Sequence, residues 1–260
     1  MSTKIKINES SKRNKMTSTS IYNAEITDLG LLVDRTLIIS DLHIGYEQAL
    51  NRQGIMIPRF QYKKILERLG EIINKFNIER IVVNGDIKHE FGRITRQEWD
   101  EALNFIIFLK NNFDDIVLLK GNHDNFTKFI ADKTDLIVYE TYILGDYIIM
   151  HGDKIPDDLM AKQESTIIIG HEHPCIGIRN GERFEKIKCY LKGSYKEKNL
   201  IVMPSFNFVS EGSDILHEKS LSPFLKKRSK DEFEVYGVEN FEVLYFGRIK
   251  DILNVKDRFY

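Results

Sequence analysis

Five short apolar runs in this chain end on the same kinds of residue, and that regularity constrains the fold more than any other feature. Thr36-Leu37-Ile38-Ile39-Ser40 runs into Asp41-Leu42-His43. Arg80-Ile81-Val82-Val83-Asn84 runs into Gly85-Asp86. The run from Asp115 to Lys120 leads into Gly121-Asn122-His123-Asp124. Tyr147-Ile148-Ile149-Met150 is followed by His151-Gly152-Asp153, and Thr166-Ile167-Ile168-Ile169 by Gly170-His171-Glu172-His173. Each run is β-branched and apolar on both alternating faces, the pattern of a strand covered on both sides. In open α/β sheets the binding crevice lies outside the carboxyl ends of the strands. The five runs are therefore expected to deliver Asp, His and Asn side chains to one rim.

Helical patterns separate the runs. Pro58-Arg59-Phe60 opens one, with Ile65, Leu66, Leu69, Ile72, Ile73 and Phe76 on a single face. Thr95-Arg96-Gln97-Glu98 has the form of a capping box ahead of Trp99, Leu103, Ile106, Ile107 and Phe108. Both segments are expected to pack on the sheet. After His173 the pattern changes. Asn180-Gly181 is a hairpin signal, Arg183 to Lys192 partly alternates, and Asn199 to Met203 and Phe241 to Phe246 are strand candidates. The second half is expected to be more antiparallel and to form a second sheet. Residues 1–20 read as a disordered polar tail. Residues 21–260 read as one domain, with a charged, loop-like insertion near 218–235 that contains Lys226, Lys227, Arg228 and Lys230.

Composition excludes several classes. Of 260 residues, 42% are hydrophobic, enough for a substantial core; 38 basic and 39 acidic residues leave a net charge of -1, so bulk charge does not mark a nucleic-acid coat. Two cysteines, Cys175 and Cys189, are too few for a disulfide framework and fit a reducing compartment. The polar, basic first residues lack the apolar centre of a secretory signal. No stretch approaches the ~20 apolar residues of a membrane span. A cytoplasmic protein without a membrane partner is expected.

The rim residues are candidate metal ligands. Hard cations prefer oxygen donors, whereas imidazole suits Mn, Fe, Zn and Ni. Asp41, His43, Asp86, Asn122, His151, His171 and His173 are too many for one tetrahedral ion and suit two, with a carboxylate shared. If Asp41-x-His43 and His171-x-His173 are extended, both members of each pair point the same way. Asp86 is a natural bridge. His123, beside Asn122, is placed to donate a proton or hydrogen bond without being a ligand. Arg93 is a candidate phosphate contact, with a surface ion pair as the alternative. His217 is expected in solvent, and Trp99 and both cysteines in the core.

The blocks Asp41-Leu42-His43, Gly85-Asp86-Ile87-Lys88-His89, Gly121-Asn122-His123-Asp124, His151 and Gly170-His171-Glu172-His173 occur in the motif order of the calcineurin-like metallophosphoesterases, and hold six of the seven histidines. The sequence resembles that superfamily. The stretches 85–92, 170–174 and 203–207, with Trp99, look like its ICC-like phosphoesterases, a group related to the SbcD and Mre11 nucleases and including DNA-ligase-associated phosphoesterases. The resemblance spans about residues 37–216. It implies a four-layer αββα sandwich of two facing mixed sheets flanked by helices. It implies two divalent cations, manganese first, with iron, zinc or nickel as alternatives. Asp41, His43 and His173 would hold one ion and Asn122, His151 and His171 the other, with Asp86 between. His123 would assist the leaving oxygen, oriented by Asp124, and His89 would either support the ligands from behind or lie on the substrate side. The activity implied is hydrolysis of a phosphate ester, a diester first, by direct attack of metal-activated water. The alternatives are a DNA nuclease and a non-catalytic scaffold of the same fold. The partners expected are a phosphate ester, with nucleotides and nucleic acid in that class, and a second copy of the chain.

Overall fold

The computed structural model describes residues 19–89, 96–123, 133–180, 183–226 and 229–256. Two sheets account for the strands. The first runs, in spatial order, β1 (Ser20–Ile21), β2 (Ala24–Thr27), β3 (Gly30–Val33), β4 (Thr36–Ser40), β5 (Arg80–Asn84), β6 (Asp115–Leu119) and β7 (Val138–Tyr139). β1 to β4 are antiparallel neighbours and β4 to β7 are parallel. The second contains β8 (Thr141–Leu144), β9 (Tyr147–Met150), β10 (Thr166–Ile169), β11 (Pro174–Asn180), β12 (Arg183–Tyr195), β13 (Lys198–Val202), β14 (Ser213–Asp214), β15 (Glu234–Glu239) and β16 (Glu242–Arg248). Its path is β14-β11-β12-β13-β10-β9-β8, with β15 and β16 added on β12. β9, β10 and β13 run parallel, while β12 pairs antiparallel with β11, β13 and β15. Among the described residues the α-helices are α1 (Tyr46–Arg52), α2 (Gln61–Lys75), α3 (Arg96–Asn112) and α4 (Ile249–Lys256).

Alternation along the strands builds the layers. Leu37, Ile39, Ile81, Val83 and Leu118 face Ile65, Leu69 and Ile72 of α2 and Phe105, Ile106 and Leu109 of α3. The intervening Ile38, Val82 and Val117 turn the other way and meet Ile149, Ile168, Tyr190 and Ile201 of the second sheet. On that sheet's far face, Ile148, Ile167, Leu200, Leu191 and Val235 pack with Ile249 of α4. The order is helix, sheet, sheet, helix. Runs that are apolar on both faces follow from this, because each central strand is covered twice. Among the described residues, no helix is long and apolar enough to cross a membrane.

Three expectations change. The segment 218–235 is no mere charged insertion: Phe224, Leu225 and Phe233 are buried in the outer core of the second sheet, and Glu234 opens β15. Its charges hide a short apolar sequence that reads as loop because it lacks a period. The hairpin after β11 is shifted by one residue, since Asn180 pairs with Arg183. Ser20, placed in the tail by the sequence, already opens β1; residues 1–18 lie outside the described residues.

Candidate metal centre

The carboxyl ends of β4, β5 and β6 in one sheet meet those of β9 and β10 in the other. Backbone pairing continues past the strands: Asp41 N–H donates to Gly85 O (3.2 Å), His43 N–H to Asp86 O (2.9 Å) and Ile44 N–H to Ile87 O (2.8 Å). Gly170 N–H donates to His151 O (2.9 Å) on the facing sheet. Hydrogen bonds cross between the sheets at this rim. Asn84 Nδ2 donates to Met150 O (3.0 Å), the Phe206 N–H to Ser40 O (2.7 Å), and the His171 N–H to Asp41 Oδ2 (3.0 Å). The rim is thus fixed from both sides.

The ligand pairs converge by a different route from the one their spacing predicts. Asp41, His43, Asp86, His171 and His173 have φ of 58°, 48°, 49°, 62° and 49°. They are left-handed, not extended. Asp and His tolerate this region better than bulkier residues, yet each such residue costs about 1–3 kcal/mol. The turn at every second residue bends the backbone around a centre, and both side chains of each pair point into it.

Two donor groups result. Asp41, His43 and His173 form one; Asp86, His151 and His171 form the other; within each, one donor atom per residue lies within 4.8 Å of the others. His43 Nε2 is 3.3 Å from His173 Nε2, which is 3.1 Å from Asp41 Oδ1. Asn122 Oδ1 lies 3.0 Å from His151 Nε2 and so joins the second group. Donors about 2.0–2.2 Å from one cation must lie about 3 Å from each other, which is the spacing seen. Two imidazole nitrogens aimed at one another beside a buried carboxylate oxygen fit a bound cation. Asp86 faces both groups: its Oδ2 is 3.8 Å from His43 Nε2 and 3.3 Å from His151 Nε2.

The electrostatics agree. Burial would raise the Asp41 carboxyl, but His173, His151 and His43 around it outweigh that and hold it well below the usual range. Burial, helped by His173, presses His43 down to about 3. Burial, helped by His151, takes His171 to about 4. Burial opposes a charge on His151 too, yet the hydrogen bond to Asp86 and the charges of Asp41 and Asp86 raise it to about 10. Two buried carboxylates favour positive charge at this point, and a cation bound there would take the place of the His151 proton.

The glycines before Asn122 and His171 have a steric reason. A methyl on Gly121 would strike the Asp86 carboxylate, and one on Gly170 would strike Ser40 Oγ and Asp41 Oδ2. At both positions the backbone of one block passes against the side chain of another.

His123 lies beside the centre and outside both donor groups. Its N–H donates to Asp86 Oδ1 (2.9 Å), and its ring stands edge-on to His43 at 5.2 Å. His123 Nδ1 is 2.5 Å from His89 O, so a backbone carbonyl orients the ring at this nitrogen. The His89 ring stacks on His123 at 5.7 Å and lies 4.1 Å from the ring of Tyr46, a neighbour the sequence does not reveal. Asp124 and Arg93 lie outside the described residues. His217 is largely exposed beside Asp214 (2.7 Å), and both cysteines are buried.

A second feature is invisible in the sequence. Glu172, between two ligands, is 1% exposed, and its Oε2 accepts the N–H groups of Leu221 (2.8 Å) and Ser222 (2.7 Å). Ser222 Oγ donates to Gly152 O (2.7 Å), next to His151. One strap therefore ties down both ligand loops of the second sheet. A buried acid between two histidines is the only local signal.

Comparison with known proteins agrees with the fold. No curated protein sequence matches the chain. A nuclease, MPE, from Pseudomonas putida shares 18% identity over 86% of this chain and 94% of that one, with a TM-score of 0.57. More distant are YfcE, a phosphoesterase from E. coli (12% identity, 80% and 96% covered, TM-score 0.38), and zinc-complexed Vps29 from Entamoeba histolytica (15%, 81% and 96%, 0.36). The family model for calcineurin-like phosphoesterases matches residues 34–203, well over half of the chain and every residue of the two donor groups. The chain belongs to the calcineurin-like phosphoesterase family.

Proposed function

We propose that this chain is a phosphoesterase working with two divalent cations and acting first on phosphodiesters. Asp86 carries the reading: one carboxylate faces both donor groups through Oδ2 and positions His123 through Oδ1. Asp41, His43 and His173 would hold one ion, Asn122, His151 and His171 the other, with Asp86 shared. The mixed oxygen and imidazole donors favour manganese, then iron, zinc or nickel. Such ions, when bound, polarise the phosphoryl group, activate an attacking water and neutralise developing charge.

The chain's own part is orientation and proton transfer. A carbonyl oxygen only accepts, so His123 Nδ1 carries the proton it gives to His89 O. Nε2 is left for the substrate. Protonated there, it donates to the leaving oxygen. His89 and Tyr46 continue the same wall, beside which the leaving group would lie. The two cysteines are buried and offer no nucleophile, so direct attack by water fits better than a covalent phospho-enzyme.

The test is a substrate panel after chelation, with each metal added back. Manganese-dependent hydrolysis of a chromogenic diester, faster than of the monoester, is expected. DNA belongs on the panel because the Pseudomonas putida protein of this fold is a nuclease. No hydrolysis of any ester with any metal would leave a non-catalytic scaffold.

A further inference from the structure

Resting on that phosphoesterase reading, we propose that the ridge formed by α1 and the loop 53–60 is a docking surface for single-stranded nucleic acid leading into the metal centre. The ridge starts at the centre. Gly45 caps α1 two residues after His43, and the Tyr46 ring lies 4.1 Å from His89. α1 has seven residues and so carries the chain roughly 10 Å away from the ligands. The loop then returns: the N–H groups of Phe60 and Gln61 both donate to Glu47 Oε1 (2.6 Å each) in the first turn of α1. Gln61 Nε2 donates onward to Leu42 O (2.6 Å) and His43 O (3.1 Å).

The loop is held, and what it holds outward is apolar. Asn51 grips Ile57 twice, Nδ2 to O at 3.1 Å and Oδ1 from N–H at 2.9 Å. Ile55 is 50% exposed, Met56 88% and Phe60 38%. Tied at both ends, these side chains stay in water. Around them cations predominate. Arg52, Arg59, Lys63 and Lys64 are exposed; Glu67 pairs with Lys63 (3.5 Å), and Glu47 is buried beneath the loop.

Exposed Ile, Met and Phe among cations suit a strand of bases and phosphates. Apolar wedges of these types unstack bases, while Arg and Lys take the phosphates. A second copy of the chain fits poorly, because pairing two ridges brings like charges together.

The test separates docking from chemistry. Binding of a fluorescent single-stranded DNA is measured by anisotropy in chelator, so that no metal is needed. Manganese-dependent cleavage of that DNA and hydrolysis of a small chromogenic diester are measured alongside. Met56→Asp and the double variant Arg52→Ala/Arg59→Ala should each bind DNA about tenfold more weakly. The double variant should also flatten the plot of log affinity against log salt by between one and two units. Both should hydrolyse the small diester as wild type does. Wild-type affinity and salt slope in both variants would overturn the ridge, as would a wild-type protein that hydrolyses the diester and does not bind DNA. If Met56→Asp changes the oligomeric state and leaves DNA binding intact, the ridge is a self-association surface and the inference falls. Loss of diester hydrolysis with every metal would instead count against the phosphoesterase reading, while the binding arm still judges the ridge.

Discussion

Replacing Glu172 tests whether the strap from Leu221 to Ser222 holds the metal-ligand loops. Glu172→Ala removes the two backbone hydrogen bonds that its carboxylate accepts. The Ser222 N–H is fully buried and would be left without an acceptor, a loss of about 2–3 kcal/mol. Leu221 is 45% exposed, so water can replace its bond and the loss there is about 1 kcal/mol or less. The sum of about 3 kcal/mol corresponds to a fall of roughly 6–12 °C in Tm for a chain of this size. Both N–H groups point at the same oxygen, which a glutamine can also supply. Glu172→Gln therefore loses only the charge and should fall by about a third as much. Thermal unfolding followed by circular dichroism measures the first effect. Calorimetric titration of manganese into the chelated protein measures the second: binding at His171 and His173 should weaken in the alanine variant and recover in the glutamine one. If Glu172→Ala melts within about 2 °C of wild type and takes up metal equally well, the strap holds nothing.

Other substitutions probe the same centre. His123→Ala should keep both metal equivalents and lose about 10²–10⁴ in kcat, whereas Asp86→Ala should lose metal as well; atomic absorption with turnover on a diester separates the two, and equal metal loss in both would remove the distinction. Gly170→Ala forces a methyl into Asp41 and Ser40, so a destabilisation of about 1–3 kcal/mol and weaker metal binding are expected in denaturant melts and titration; wild-type values would refute the close contact. Burial presses Lys188, whose Nζ donates to Ser205 O (3.0 Å) and Oγ (2.6 Å), down to about 7. A folded-state value below the unfolded one means that the unfolded chain binds the extra proton between about pH 7 and 10, so stability should rise with pH across that window and fall as pH drops through about 7. Lys188→Met should flatten the profile, and an unchanged profile would show that the burial is not felt.

The strand ends were the legible part. A run such as Thr166-Ile167-Ile168-Ile169 has no polar face, so it must be covered twice, and the same reasoning holds for β4, β5, β6 and β9. The convergence of these side chains was legible for a related reason: His and Asp have no packing use at the end of such a run. What could not be read was direction. Asp41-x-His43 and His171-x-His173 look extended by spacing, and only coordinates show that their backbone is left-handed. The strap was also hidden. Glu172 and Ser222 are 50 residues apart, and nothing in either segment alone names the other. Phe224, Leu225 and Phe233 were masked in the same way, three apolar residues scattered among lysines with neither a helical nor a strand period.

The left-handed backbone and the glycines belong to one solution. Five candidate ligands at positive φ cost about 1–3 kcal/mol each, a sum that a domain of ordinary stability cannot carry at flexible loop positions. It can carry it here because the blocks are welded to buried sheets on both sides, with strands whose apolar side chains each contribute about 1.5–3 kcal/mol. Extended backbone would cost less locally, but it would march Asp41 and His43 away from the centre at about 3.3 Å per residue, and the side chains of the facing sheet could not close on the same points. Coiling the chain tightly brings donors to about 3 Å spacing, and tight coils from two sheets collide unless one partner has no side chain. Gly121 and Gly170 stand where those collisions would fall. Strain at the ligands, bareness at the glycines and rigidity in the sheets are therefore three consequences of one requirement: donors from five strand ends must crowd into a space that a loop could not hold still.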